Sequence, residues 1–172
     1  MITTLRLELH PLSMNQLMLG LTSIKDLSDS LAIPLEADLF EGVVQRAVNL
    51  KIEKMKTASV ETHDWFTYWM IVLKEENIGV GLAGFKGIPD PSGSVEIGYG
   101  LNEKYRANGY MSESVRALVQ WAFEHENCTK VTATSVLASN LASQKVLKNA
   151  GFSLDSSTTE YQNYSIVKQD VI

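Results

Sequence analysis

The sequence predicts an α/β (α+β) protein built on one mixed, mostly antiparallel sheet with helices packed on it. Three observations predict this. Segments with an apolar period of two alternate with segments of period 3.6. Three consecutive strand-like runs are separated by short turns, as in an antiparallel meander. A strand, a long amphipathic helix and a further strand then follow, and such a unit normally pairs its strands in parallel.

Taken in order, Thr4 to His10 alternates, with Leu5, Leu7 and Leu9 on one side and Arg6, Glu8 and His10 on the other, and Pro11 is expected to end this strand. Ser13 to Leu31 reads as one or two short helices. Phe40, Val43, Val44, Ala47 and Leu50 keep helical spacing, which predicts a helix from Ala37 to about Lys56. Trp65–Leu73 is aromatic and β-branched and reads as a strand, followed by a turn at Glu75–Asn77, a strand at Ile78–Phe85, a proline-containing loop at Gly87–Gly93 and a strand at Val95–Leu101. Met111, Val115, Leu118, Val119 and Ala122 share one helical face. Lys130–Val136 is a strand and Leu141–Ala150 a helix, with Asn140 as its N-cap and Gly151 as its stop. Tyr161–Val167 is a last strand. No repeat, linker or charge block divides the chain, so one domain over 1–172 is expected.

Composition narrows the function. A chain of 172 residues with 45% hydrophobic residues can bury a core, and a net charge of −5 gives no general reason to seek nucleic acid or an anionic membrane. A cationic acceptor would be weakly attracted. The single cysteine, Cys128, allows no internal disulfide and no multi-thiolate zinc site, and fits a reducing cytoplasm; it reads as an inert thiol. No basic-then-apolar leader is seen, and no metal is expected, because His10, His63 and His125 lack ligand spacing and read as surface residues.

Gly79–Gly84 matches the dinucleotide pattern G-x-G-x-x-G, yet the motif needs a helix directly after it, and here Phe85 and a proline loop follow. Tyr105–Ser112 is more informative, since it joins a strand to an amphipathic helix. The first N–H groups of a helix lack internal partners and carry partial positive charge, so this junction can hold a pyrophosphate. Gly109 permits close approach and Arg106 supplies charge. An ordinary loop with a solvated arginine fits the spacing equally well.

Family resemblance separates these readings. Arg106-Ala107-Asn108-Gly109-Tyr110-Met111 resembles the Q/R-x-x-G-x-G/A acetyl-CoA signature of the GNAT superfamily of N-acetyltransferases. Glu96–Leu101 and Met111–Ser114, with Asn140–Ser143 and Asn149–Phe152, resemble the branch that acetylates ribosomal-protein N-termini, the RimJ/RimL type. The similarity runs from about Trp65 to Phe152. It implies a twisted sheet whose fourth and fifth strands splay apart, acetyl-CoA as co-substrate, an amine acceptor such as a protein N-terminus or a small molecule, and direct attack in a ternary complex. A homodimer is common in the superfamily. Two positions depart from the pattern: Met111 stands where Gly or Ala is usual, and Leu147 where many members carry the tyrosine that protonates the leaving thiolate.

The resemblance assigns the pyrophosphate to the backbone from Arg106 through Ala107, Asn108, Gly109 and Tyr110 to Met111 and Ser112. It assigns the pantetheine arm to the backbone of Tyr99, Gly100 and Leu101. Glu96, Gly98 and Gly100 share one strand face, which is either an open face for a ligand or the mark of a β-bulge or of packing against a helix. Glu96 is the candidate general base or a solvated carboxylate. Asn140 is a cofactor contact or only a cap. Ser143 is the candidate acid, in place of the absent tyrosine, or an ordinary helix residue. Two other functions compete: an acyl-CoA sensor without turnover, and a nucleotide-binding domain outside this superfamily.

Overall fold

The computed structural model describes residues 1–168. Its strands are β1 (Ile2–Thr3), β2 (Leu7–Pro11), β3 (Trp69–Leu73), β4 (Ile78–Phe85), β5 (Ser94–Leu101), β6 (Lys130–Leu137), β7 (Ser153–Ser157) and β8 (Tyr161–Val167). Its helices are α1 (Met14–Thr22), α2 (Ile24–Leu31), α3 (Val43–Thr57), α4 (His63–Phe66), α5 (Tyr110–Phe123) and α6 (Leu141–Asn149). The strands form one sheet in the order β1-β2-β3-β4-β5-β6-β8-β7, antiparallel throughout except for β5 beside β6.

Both faces of the sheet are covered, so β3 is buried along its whole length. Leu7, Leu9, Ile71, Phe85, Ile97, Leu118 and Leu147 form one core beneath α5 and α6. Leu12, Leu17, Leu27, Val48, Met70, Val72 and Leu82 form the other, beneath α1–α3. Helix α1 begins in a capping box, in which the Ser13 hydroxyl accepts from the Gln16 N–H and the Gln16 side chain accepts from the Ser13 N–H.

Several expectations need correction. Leu5 does not face inward with Leu7 and Leu9. Thr4 closes a turn onto Leu7 by backbone and hydroxyl hydrogen bonds, which delays the strand and leaves Leu5 87% exposed. Pro11 does end the strand, as its last residue opposite Trp69; β1 pairs only with Glu8 and Leu9, so the proline's missing N–H breaks no ladder. The segment 37–42 is a turn, and α3 starts only after Gly42, whose φ of 60° suits glycine. Phe40 is still core, its ring seated where a side chain at Gly20 would be. Trp65 and Phe66 lie in the short helix α4 before the strand. The strands β1 and β7 were not expected; both are short, and β7 is polar and exposed.

The central feature is the parting of β5 and β6. They pair in parallel only at Ser94–Lys130, Val95–Val131 and Glu96–Thr132. Beyond that rung β5 stays in continuous register with β4, from Ile97 to Leu101. Strand β6 turns toward β8 through a bulge between Ala133 and Val136, with Ser135 at φ 53° and its N–H bonded to Asn163 Oδ1 at 2.8 Å. The resemblance implies a splay between the fourth and fifth strands; here the parted pair is β5 and β6, one higher in the count because the short β1 adds one. The bulge lies on β6, so the alternation of Glu96, Gly98 and Gly100 along β5 holds.

Candidate active site

Between the upper half of β5, the loop into α5 and one face of α6 lies a cavity of about 730 Å³. Tyr99, Gly100, Leu101, Arg106, Ala107, Asn108, Gly109, Tyr110, Met111, Ser112, Asn140 and Ser143 all line it. Ala142, Lys145, Val146 and Asn149 line it too and were missed. Helical spacing from Ala142 gives 145, 146 and 149, so the signal was present.

The loop is held in a defined shape. Ala107 (φ 64°) and Gly109 (φ 79°) both have left-handed backbone, which costs the alanine about 1 kcal/mol. The Asn108 side-chain amide donates to the carbonyls of Tyr105 and Arg106 at 3.2 and 3.1 Å, and Arg106 Nε donates to Leu101 O at 3.2 Å. Gly109 is the N-cap of α5 and offers no capping side chain, so the first N–H groups of a 14-residue helix face the cavity region without that competitor. Met111 is 6% exposed and packs into the core beneath the loop, so its extra length is taken up away from the backbone donors.

A clamp from the N-terminal hairpin reaches the same loop. Arg6 Nη1 donates to Asn108 O at 2.9 Å, and Arg6 Nε and Nη2 each lie 2.7 Å from Glu113 Oε2. The guanidinium also sits 4.7 Å from the centre of the Tyr110 ring. Thr4 Oγ1 donates to Glu113 Oε1 at 2.6 Å. Burial pushes the Glu113 carboxyl up, but the Thr4 and Arg6 hydrogen bonds and the Arg6 charge outweigh it and hold the group below its usual range.

On α6, Asn140 Oδ1 accepts from the Ser143 N–H at 3.0 Å, so Asn140 caps the helix and also borders the cavity. The Ser143 hydroxyl lies 2.8 Å from the Tyr99 hydroxyl. Burial pushes the Tyr99 phenol up to about 12, against the pull of the Ser143 hydrogen bond and with a further push from Tyr164. Leu147 is wholly buried among core residues.

Glu96 is not among the residues lining the cavity. It stands at the last paired rung before the strands part, and its Oε1 accepts from Lys86 Nζ at 2.6 Å and from Thr134 Oγ1 at 2.8 Å. Above it on the same face, a Cβ added at Gly98 or Gly100 would meet nothing within 4 Å. The strip beside the carboxylate is therefore open, and neither glycine is there to make room for a neighbouring helix.

The glycines of the false nucleotide motif lie inside β4, and no helix follows them. Cys128 is buried, and burial raises its thiol above the usual range. The three histidines are half-buried, not surface residues: His10 pairs with Glu8, His125 packs edge-on against Trp65 and Trp121, and His63 Nε2 is buried with no hydrogen-bond partner among the described residues. No helix among the described residues is long and apolar enough to cross a membrane.

A mixed sheet parted in its middle, with an uncapped helix N-terminus at the mouth of the gap, is the arrangement that the family resemblance implies. Residues 37–153 match the family profile described as acetyltransferase (GNAT) domain, and the chain belongs to that family. The Bacillus subtilis protein named Uncharacterized N-acetyltransferase YjdG is 38% identical over 102 residues, which are 59% of this chain and 60% of that protein. This chain thus spans about three-fifths of that relative's length. Among solved structures, the acetyltransferase that modifies the N-terminal serine of 50S ribosomal subunit protein L7/L12 from Salmonella typhimurium superposes with a TM-score of 0.65 at 17% identity, over 96% of this chain and 97% of that one. The RimL ribosomal L7/L12 alpha-N-protein acetyltransferase in complex with coenzyme A also superposes with a TM-score of 0.65, at 17% identity and over 95% of both chains.

Proposed function

We propose that the chain moves an acetyl group from acetyl-CoA to a primary amine by direct attack in a ternary complex, as a cytoplasmic enzyme whose residues 1–172 act as one acetyltransferase domain. The observation that carries this reading is the place of the cavity. The uncapped N-terminus of α5 opens onto a cavity lined by Tyr99, Gly100 and Leu101 of β5, on the stretch of that strand beyond the last rung it shares with β6, and Glu96 stands at that rung. The backbone from Arg106 to Ser112 would hold the pyrophosphate, with Lys145 and Arg106 as nearby cations, and the edge at Tyr99–Leu101 would take the pantetheine arm as an added strand. The thioester supplies the activated acyl group.

Glu96 is the proposed base. Its carboxylate already accepts a hydrogen bond from one ammonium, that of Lys86, which matches the chemistry of an incoming amine. The amine nitrogen bonds to the thioester carbon, its surplus proton passes to Glu96, and the C–S bond breaks with its electron pair on sulfur. The solved relatives named for ribosomal-protein N-termini make a protein α-amine the first acceptor to test.

The test is thiol release from acetyl-CoA with N-terminal peptides, polyamines and aminoglycosides, for wild type and Glu96→Gln. Release is expected to depend on one amine class and to fall on the order of 10²-fold in the variant. Acetyl-CoA binding by calorimetry with no release from any amine would favour an acyl-CoA sensor. Absence of binding would overturn the reading.

A further inference from the structure

We propose that Tyr99 is a positioning residue which, through its hydroxyl, turns the Ser143 hydroxyl toward the leaving sulfur of the acyl donor. The inference rests on the acetyl-transfer reading above. It answers a gap in the site: position 147 holds a leucine, which has no hydroxyl to offer and is wholly buried in the core.

A phenol reaches the cavity from the sheet instead. Tyr99 lies on β5 beside the gap, lines the cavity, and brings its hydroxyl to 2.8 Å from Ser143 Oγ. The direction of that hydrogen bond follows from what surrounds it. The Ser143 carbonyl oxygen, 3.4 Å from the same phenol oxygen, can only accept, so the Tyr99 O–H faces two acceptors on one residue. Burial keeps the phenol protonated, which makes Tyr99 a standing donor. With its oxygen occupied by Tyr99, Ser143 directs its own hydrogen elsewhere, and the cavity is the open side. A hydroxyl whose oxygen accepts a hydrogen bond is a stronger donor in turn. Ser143 also sits in the first turn of the nine-residue α6, where the helix dipole favours negative charge.

When the C–S bond breaks, the electron pair stays on sulfur, the amine proton has gone to Glu96, and the thiolate departs hydrogen-bonded to Ser143 Oγ–H. Water protonates it on exit. Tyr99 gives up no proton; it fixes the direction of the Ser143 donor.

The probe is coenzyme A itself, because its thiol becomes a thiolate without any acceptor. The pKa of protein-bound coenzyme A is read from thiolate ultraviolet absorbance during a pH titration. Tyr99→Phe, Ser143→Ala, the double variant and wild type are compared, with dissociation constants from calorimetry. The other titratable or charged groups around the pair are Tyr164 on β8, Lys145 on α6, Arg106 and Tyr110 at the loop, and Lys86 and Glu96 at the base of the gap. All are common to the four proteins, so differences report the pair. Tyr99→Phe is expected to raise the bound thiol pKa by about one unit, a roughly tenfold loss of preference for thiolate. Ser143→Ala is expected to do the same and the double variant to add nothing, as for two members of one unit. A bound thiol pKa unchanged in Tyr99→Phe overturns the proposal, as do fully additive effects or a loss of coenzyme A binding confined to Tyr99→Phe. Absence of binding in wild type sinks the acetyltransferase reading itself.

Discussion

Arg6 is the residue whose role is hardest to see in the sequence and plainest in three dimensions. It alternates outward in a short N-terminal strand pattern, and its partner Glu113 lies 107 positions away. Nothing local marks it. Yet its guanidinium joins the Asn108 carbonyl, the Tyr110 ring and the Glu113 carboxylate, and so braces a loop that holds Ala107 in a left-handed conformation. A brace of this kind favours binding by removing the cost of ordering the loop. Arg6→Ala is expected to weaken coenzyme A binding about tenfold, an effect of one charge-assisted hydrogen bond. Calorimetry checks this, with a pantetheine fragment lacking the pyrophosphate as control. Equal weakening of both ligands would mean a general structural defect. The clamp also depends on pH. Glu113 has a depressed pKa in the folded chain, so its contribution is present above the ordinary carboxylate pKa of 4.5 and is lost as pH falls through the lower folded value. Glu113→Gln should therefore flatten the acid limb of a thermal-melting profile.

At the scale of elements, much was legible. The meander β3–β4–β5, the crossover through α5 and the cap and stop of α6 all follow from periodicity and from Asn140 and Gly151, because those signals are local. The misses have physical causes of the opposite kind. Strand β7 is five exposed residues with no apolar alternation, and it is a strand only because β8 lies beside it. The start of β2 was set by a turn at Thr4, not by its leucines. The parting of β5 from β6 came from family resemblance, since the bulge at Ser135 leaves no mark in composition. Glycines on neighbouring strands make the division between structure and function testable. A Cβ at Gly81 would lie 2.7 Å from Gly100 O, and one at Gly84 would collide with the Thr67 carbonyl, both rigid backbone. Alanine at either is expected to destabilise the fold by about 1–3 kcal/mol. Alanine or valine at Gly100 meets open space and should leave the urea midpoint almost unchanged while weakening coenzyme A binding at least tenfold, because it fills a wall of the cavity. A loss of stability at Gly100 comparable to that at Gly84 would mean that the open face serves packing.

At the scale of the whole molecule, the two layers of core are tied together at one end by a buried cation. Lys51 on α3 is 7% exposed, and its ammonium donates to the carbonyls of Phe66, Thr67 and Phe85 and lies 4.4 Å from the centre of the Tyr68 ring. Lys54, one turn on, donates to the carbonyl of Lys86, whose own ammonium holds Glu96. Helix α3 thereby fixes the end of β4 from which the neighbour of the proposed base projects. Burial, then repulsion from Lys54 and Lys86, pushes the Lys51 amine down to about 7 from 10.5. Between those values the unfolded chain binds one proton more than the folded chain, so stability must rise with pH across that window, by up to about 1.4 kcal/mol per unit, and must fall as pH drops toward 7. Urea unfolding at pH 7 and pH 9 reads this directly. Wild type is expected to unfold at higher urea at pH 9. Lys51→Met, which keeps the stem and removes the titrating group, should lose that dependence while removing the two hydrogen bonds that the neutral amine can still donate to these carbonyls, at a cost of about 1–3 kcal/mol at pH 9. Equal pH slopes in the two proteins would show that Lys51 stays charged in the fold, its three carbonyls and the Tyr68 ring outweighing the burial.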